Sequence, residues 1–262
     1  MRIKDKFAEL TLKNQKGFIP FITAGDPTLL QTKELIRVFA RLDATVIELG
    51  VPFSDPMADG VVIQLASERA LKQNFGIAEI FALVKDLRTE IETPIILFSY
   101  FNPLLQYGLE KLCVDAKSAG IDGFLVTDLV PEEAEQFSNL LKTHDLDMIF
   151  LVAPTSGDER LKMVAERASG FIYAVSRTGV TGTQDSTSSS AEVLVNRIKK
   201  FSDLPIAVGF GISTAEQVAE TWRYADAAVV GSAIVRKIAE YGESEELIEK
   251  IEEFTCNLLP NK

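Results

Sequence analysis

Ile47-Glu48-Leu49-Gly50-Val51-Pro52-Phe53-Ser54-Asp55-Pro56-Met57-Ala58-Asp59-Gly60 reads as the end of a strand, a shaped loop and the approach to a helix. Residues 45–49 are apolar and β-branched around a single charge, the pattern of a strand buried on both faces. A buried carboxylate without a task is rare, so Glu48 is a candidate acid or base; the structural alternative is a core glutamate paired with an arginine or lysine elsewhere. Two prolines and the lack of helical period make the following segment a loop able to return Asp59 over the strand end. For Asp59 the competing reading is an ordinary turn residue, or the N-cap of a helix beginning near Val61.

Outward from this unit the same pattern repeats. Apolar, β-branched runs occupy residues 18–23, 45–49, 94–99, 123–127, 148–152, 170–175, 204–208 and 227–230. Helix-period segments fall between them at 32–42, 77–89, 109–119, 132–144, 158–168, 191–201 and 214–221. Buried strands joined by crossover helices predict a parallel sheet, and eight such units fit a closed (β/α)₈ TIM barrel, one α/β domain spanning 1–262. Two additions lie outside the alternation. Residues 2–13 form an extra amphipathic N-terminal helix with Ile3, Phe7, Leu10 and Leu12 on its apolar side, placed to close the barrel bottom. A short helix at 233–239 follows strand eight, and the tail 243–259 supplies the last outer helix. The Ser-rich stretch 185–190 reads as a mobile loop.

Composition removes several classes of function. A formal charge of -11 does not suit a polyanion-binding surface, so no nucleic-acid partner is expected. Apolar stretches are far shorter than the ~20 residues a membrane span needs, and residues 1–6 lack a signal-peptide core; a soluble cytoplasmic protein is expected. Cys113 and Cys256 fall far apart in helix-like segments and read as packing residues, and His144 as a capping or solvated residue. One histidine and no ligand-spaced cluster disfavour a metal site, and the absence of lysine from the eight strands disfavours a buried Schiff base.

Barrel chemistry sits at the C-terminal ends of the strands. That places Glu48, Asp59, Tyr100 with Asn102, Asp128 and Tyr173 around one mouth. After strands six, seven and eight come Ser176-Arg177-Thr178-Gly179-Val180-Thr181-Gly182-Thr183, Gly209-Phe210-Gly211-Ile212-Ser213, and Gly231-Ser232 opening the short helix. Glycine turns let backbone N–H groups approach an anion and a helix N-terminus adds a favourable field, so these three loops read as a phosphate site.

At these residues, together with Pro20-Phe21-Ile22-Thr23-Ala24-Gly25-Asp26-Pro27 and Asn102-Pro103, the chain closely resembles the tryptophan synthase alpha subunit family. The resemblance implies reversible cleavage of indole-3-glycerol phosphate to indole and glyceraldehyde 3-phosphate. By it, Glu48 moves protons at the indole C3 and the side-chain hydroxyl, and Asp59 hydrogen-bonds the ring N–H. Phe21, Leu125, Tyr173 and Phe210 would line the indole pocket, with Tyr100 near Glu48. Gly182, Gly211, Gly231 and Ser232 would hold the phosphate, and Thr181 would sit in a lid ordering Asp59. The loop carrying Phe53, Ser54, Asp55 and Pro56 would meet a beta subunit in an alpha2beta2 heterotetramer, pyridoxal phosphate belonging to that partner and no cofactor to this chain. Val61, Thr127 and Val130 depart from the usual pattern, Val61 replacing a proline, which is expected to loosen the helix start after Asp59. A stand-alone indole-3-glycerol phosphate lyase and a catalytically weak subunit that mainly activates the beta subunit share the same residues and stay open at this point.

Overall fold

The computed structural model describes residues 1–175, 187–209 and 211–260. Eight parallel strands close into a barrel in chain order: β1 Gly17–Thr23, β2 Ile47–Gly50, β3 Ile95–Ser99, β4 Gly123–Val126, β5 Asp147–Val152, β6 Ile172–Val175, β7 Ile206–Gly209 and β8 Ala227–Val230. The helices among the described residues are α1 Arg2–Leu12, α2 Leu29–Arg41, α3 Val61–Leu71, α4 Ile77–Leu87, α5 Phe101–Tyr107, α6 Leu109–Ala119, α7 Glu135–Thr143, α8 Asp158–Arg167, α9 Thr187–Ile198, α10 Ala215–Thr221, α11 Ser232–Tyr241 and α12 Leu247–Leu258. The expected (β/α)₈ TIM barrel is thus present, with the extra N-terminal helix and the short helix after β8.

Boundaries moved where side chains compete with the backbone. Residue 45 stays outside β2 because the Thr45 hydroxyl, not a ladder carbonyl, accepts the Phe18 N–H at 3.0 Å. The Ser-rich stretch read as a loop contributes its last four residues, 187–190, to α9, since serine and threonine suit a first helical turn as well as a loop. Helix α5, unforeseen, accommodates Pro103 within its first turn, where the missing N–H does no harm. Cys113 packs in the core as expected, whereas Cys256 is exposed on α12 and does not.

Two apolar layers hold the barrel. The outer one joins the outward strand residues, such as Phe18, Ile22, Ile47 and Leu97, to the surrounding helices. The inner one stacks Ile19, Val46, Ile96, Leu125, Ile149, Phe171, Tyr173, Ala207, Ala227 and Val229 inside the barrel, and Ile3, Phe7 and Leu10 of α1 complete it from below. Each of those three side chains is almost wholly buried, a stabilisation of about 1.5–3 kcal/mol apiece. Leu12, expected on the same side, is exposed at the last residue of α1, past the turn that faces the barrel. Asp122 fastens the plug: its carboxylate accepts from Arg2 Nη1 at 3.1 Å, Arg88 Nη2 at 2.8 Å and the Ile95 N–H at 2.9 Å. With the bottom closed, only the opposite mouth is left for chemistry.

Asp122→Ala leaves the Arg88 guanidinium buried without its counter-charge, and such a loss costs about 3–5 kcal/mol. Urea unfolding should show a midpoint lowered to match; an unchanged midpoint would mean that α1 is held by its apolar face alone.

Candidate active site

Glu48 faces inward from β2 on the same side as Val46, opposite Phe21 of β1 and Ile96 of β3. Its side chain has no exposed surface, and neither carboxylate oxygen has a hydrogen-bond partner among the described residues. No ion pair reaches it among the described residues. Burial drives its pKa well above the usual carboxylate range, favouring the protonated form. Tyr173 shares this interior: its hydroxyl is raised well above the ordinary value, first by burial and then by the charge of Glu48. Gly209 makes the room, since a Cβ there would lie 2.1 Å from the Tyr173 hydroxyl. Gly50 does the same for the Phe21 ring, whose edge would be 2.7 Å from a Cβ.

Asp59 lies half-buried just before α3. Gly60, not Asp59, is the N-cap, and no side chain caps this helix, which removes the capping reading of the carboxylate; the Asp59 N–H closes a turn on the Pro56 carbonyl at 3.1 Å. Burial lifts Asp59 to about 6, opposed by a hydrogen bond from Tyr100. The Tyr100 hydroxyl also accepts the Ala58 N–H at 2.8 Å, and the Phe53 ring lies against the Tyr100 ring at 5.2 Å between centroids. Phe53 and Pro56 are half-buried, while Ser54, Asp55, Met57 and Ala58 of the same loop are exposed. Tyr100 serves the Asp59 side of the mouth; it makes no hydrogen bond to Glu48. From below, Arg69 of α3 grips the buried Asp26 with two bonds of 2.7 and 2.8 Å, and Gln64 Nε2 donates to the Asp59 carbonyl at 2.8 Å. The helix that carries Asp59 is anchored at both ends despite Val61.

Phe21 connects this wall to the far side of the mouth. Its ring meets Phe98 edge-on at 5.1 Å, and a Cβ on Gly231 would stand 3.4 Å from its own Cβ. Gly231 is the N-cap of α11, without a side-chain cap, and Ser232 opens the helix in an exposed position. Gly211 turns with φ +81°. Backbone N–H groups at such a helix start suit an anion. Leu125 lies deeper, fully buried in the inner layer with Tyr173. Thr181, Gly182 and Phe210 lie outside the described residues; of the loop 177–190 expected to cover the site, 177–186 lie outside them too and 187–190 belong to α9. Among the described residues no group of three or more His, Cys, Asp or Glu could hold a metal, and no helix is long and apolar enough to cross a membrane. Sequence reasoning missed Thr23, Ser67 and Ser99, which share a cavity with Asp59; for Thr23 the available signal was its spacing of two from Phe21.

A family model described as tryptophan synthase alpha chain matches residues 7–260. The tryptophan synthase alpha chain of Solibacter usitatus is 48% identical over 257 residues, 98% of this chain and 96% of that one. Among solved structures, the alpha subunit of Legionella pneumophila superposes with a TM-score of 0.91 at 35% identity, over 98% of this chain and 96% of that chain. A chain of the tryptophan synthase a2b2 complex of Pyrococcus furiosus gives 0.86 at 38% identity, over 92% and 97%.

The Asp59 carboxyl is neutral below and charged above its midpoint of about 6, and the Tyr100 hydrogen bond holds that midpoint down. Carbon NMR titration, with Asp59→Asn to identify the signal, should find the midpoint raised in Tyr100→Phe. A wild-type midpoint near the usual ~4, unmoved in the variant, would contradict the arrangement.

Proposed function

The chain belongs to the tryptophan synthase alpha chain family, and from that premise we propose that Glu48 and Asp59 carry the family's reaction here, the reversible retro-aldol cleavage of indole-3-glycerol phosphate to indole and glyceraldehyde 3-phosphate. The observation that carries the assignment is a fully buried Glu48 at the mouth end of β2, with both oxygens unpaired among the described residues. We read residues 1–262 as one barrel domain.

Cleavage needs a proton delivered to indole C3 and another taken from the hydroxyl on the adjacent side-chain carbon. The bonding pair between that carbon and C3 then returns to the ring, and the hydroxyl carbon becomes the aldehyde of glyceraldehyde 3-phosphate. Glu48, with a midpoint raised by burial, gives the first proton and accepts the second. While C3 is protonated, positive charge develops at the ring nitrogen. Asp59, ionised above about 6, faces that N–H and stabilises the charge in a water-poor site. Phe21 and Tyr173, with Leu125 beneath and Phe210, line the indole; the N–H groups at Gly211, Gly231 and Ser232, with Gly182, receive the phosphate.

The partner is a beta subunit, as in the Pyrococcus furiosus a2b2 complex, giving an alpha2beta2 assembly in the cytoplasm. Its pyridoxal phosphate stays with that subunit, and this chain works without a cofactor. Docking falls on Phe53, Ser54, Asp55 and Pro56, and reaches Asp59 through the Phe53 and Tyr100 rings. Indole formed in the barrel then passes to the partner, completing L-tryptophan synthesis.

Glu48→Gln should fold and bind glycerol 3-phosphate normally yet lose at least a hundredfold in cleavage rate, in the range for a lost general acid or base (about 10²–10⁴-fold). Asp59→Asn should be impaired to a comparable degree. Steady-state assays with and without beta subunit test both; near-normal turnover of Glu48→Gln would overturn the assignment. A rate indifferent to beta subunit would favour a stand-alone lyase.

A further inference from the structure

Behind Asp59 lies a cavity of about 10 Å³, lined by Phe21, Thr23, Gly50, Ser67, Ser99 and Tyr100 among others. This is the room one water molecule requires, provided that two or more polar groups receive it. Thr23 ends β1 two residues beyond Phe21 and therefore on the same inward face. It pairs in register with Gly50, which lines the same cavity. Thr23 is 2% exposed, and its hydroxyl has no hydrogen-bond partner among the described residues. An unpartnered buried hydroxyl is unfavourable, and valine would fill the same volume in the strand without that penalty. The Ser99 hydroxyl already donates to the Tyr100 carbonyl at 2.9 Å, which leaves Thr23, Ser67 and Asp59 facing the cavity with capacity to spare.

We propose that this cavity binds a single water that bridges the Thr23 hydroxyl to the Asp59 carboxylate, making Thr23 a positioning residue for Asp59. The inference rests on the role given to Asp59 in the reaction. Tyr100 fixes one side of the carboxylate; the water, anchored by Thr23 and Ser67, donates to the other. Held from two directions, the carboxylate keeps the orientation that meets the indole N–H. Without the Thr23 hydroxyl the water loses an anchor and the carboxylate gains freedom to turn away, so the chemical step slows while substrate binding persists.

Thr23→Val and Thr23→Ser, each made alone and in the Asp59→Asn background, test this by cleavage of indole-3-glycerol phosphate with saturating beta subunit. Crystal structures of wild type and Thr23→Val at a resolution that shows ordered water accompany the assays. Thr23→Val should lower kcat about tenfold, the effect of losing one hydrogen bond to a charged group, and leave KM within about twofold. Thr23→Ser should recover most of the loss, and Thr23→Val should add nothing to Asp59→Asn. The wild-type crystal should hold a water between Thr23 and Asp59 that Thr23→Val lacks. An unimpaired Thr23→Val beside an impaired Asp59→Asn, or a Thr23 hydroxyl bonded elsewhere in the wild-type crystal, overturns the proposal alone. A fully active Asp59→Asn overturns the role of Asp59 and the proposal together.

Discussion

A carboxylic acid buried without a partner is the constraint around which the mouth of this barrel is built. Glu48 gains nothing from its surroundings by hydrogen bond or ion pair among the described residues, and its ionised form is correspondingly disfavoured. The rest of the fold tolerates the cost because the inner layer below is continuous, sealed by α1 and by the Arg2, Arg88 and Asp122 cluster. Burial alone is not the distinguishing sign. Asp147 is also buried, its pKa raised by burial and opposed by a hydrogen bond from Ser169, but it begins β5 at the bottom of the barrel, away from the mouth. Position at a strand's C-terminal end converts the same physical expense into a usable proton.

The two carboxylates are tuned differently by their settings. Glu48 is rigid in a strand and enclosed by apolar neighbours; Asp59 is half-buried on a loop, and its midpoint stays near 6. Burial favours the protonated form strongly at Glu48 and more moderately at Asp59, so two groups of similar intrinsic acidity are set apart by their surroundings. The loop setting also exposes Asp59 to control. The Phe53 ring packs on the Tyr100 ring, whose hydroxyl bonds both the Ala58 N–H and the Asp59 carboxylate. Under the proposed docking at residues 53–56, coupling through these contacts would run both ways.

Much of this was legible from the sequence, and the exceptions have physical causes. The strands announced themselves as apolar β-branched runs, because strands buried on both faces carry no polar face to obscure them. Glu48 stood out as one charge inside such a run, and Gly211, Gly231 and Ser232 as turn chemistry at the right strand ends. Asp59 was ambiguous because an aspartate before a helix is most often its cap; only the geometry showed that Gly60 occupies that position. Thr23 was easy to pass over, since threonine is an ordinary strand former and only its spacing of two from Phe21 hinted at the cavity it lines with Asp59. The anchoring of α3 by Asp26 and Arg69 spans two loops and leaves no local pattern.

The central claim is that enclosure at the mouth of the barrel holds a proton on Glu48. Infrared difference spectroscopy across a pH titration, with Glu48→Gln to identify the carboxylic acid band, reads that proton directly. The account predicts that the protonated band of Glu48 persists well above the ordinary carboxylate range of about 4 to 5. A Glu48 already fully ionised at pH 5 would contradict it.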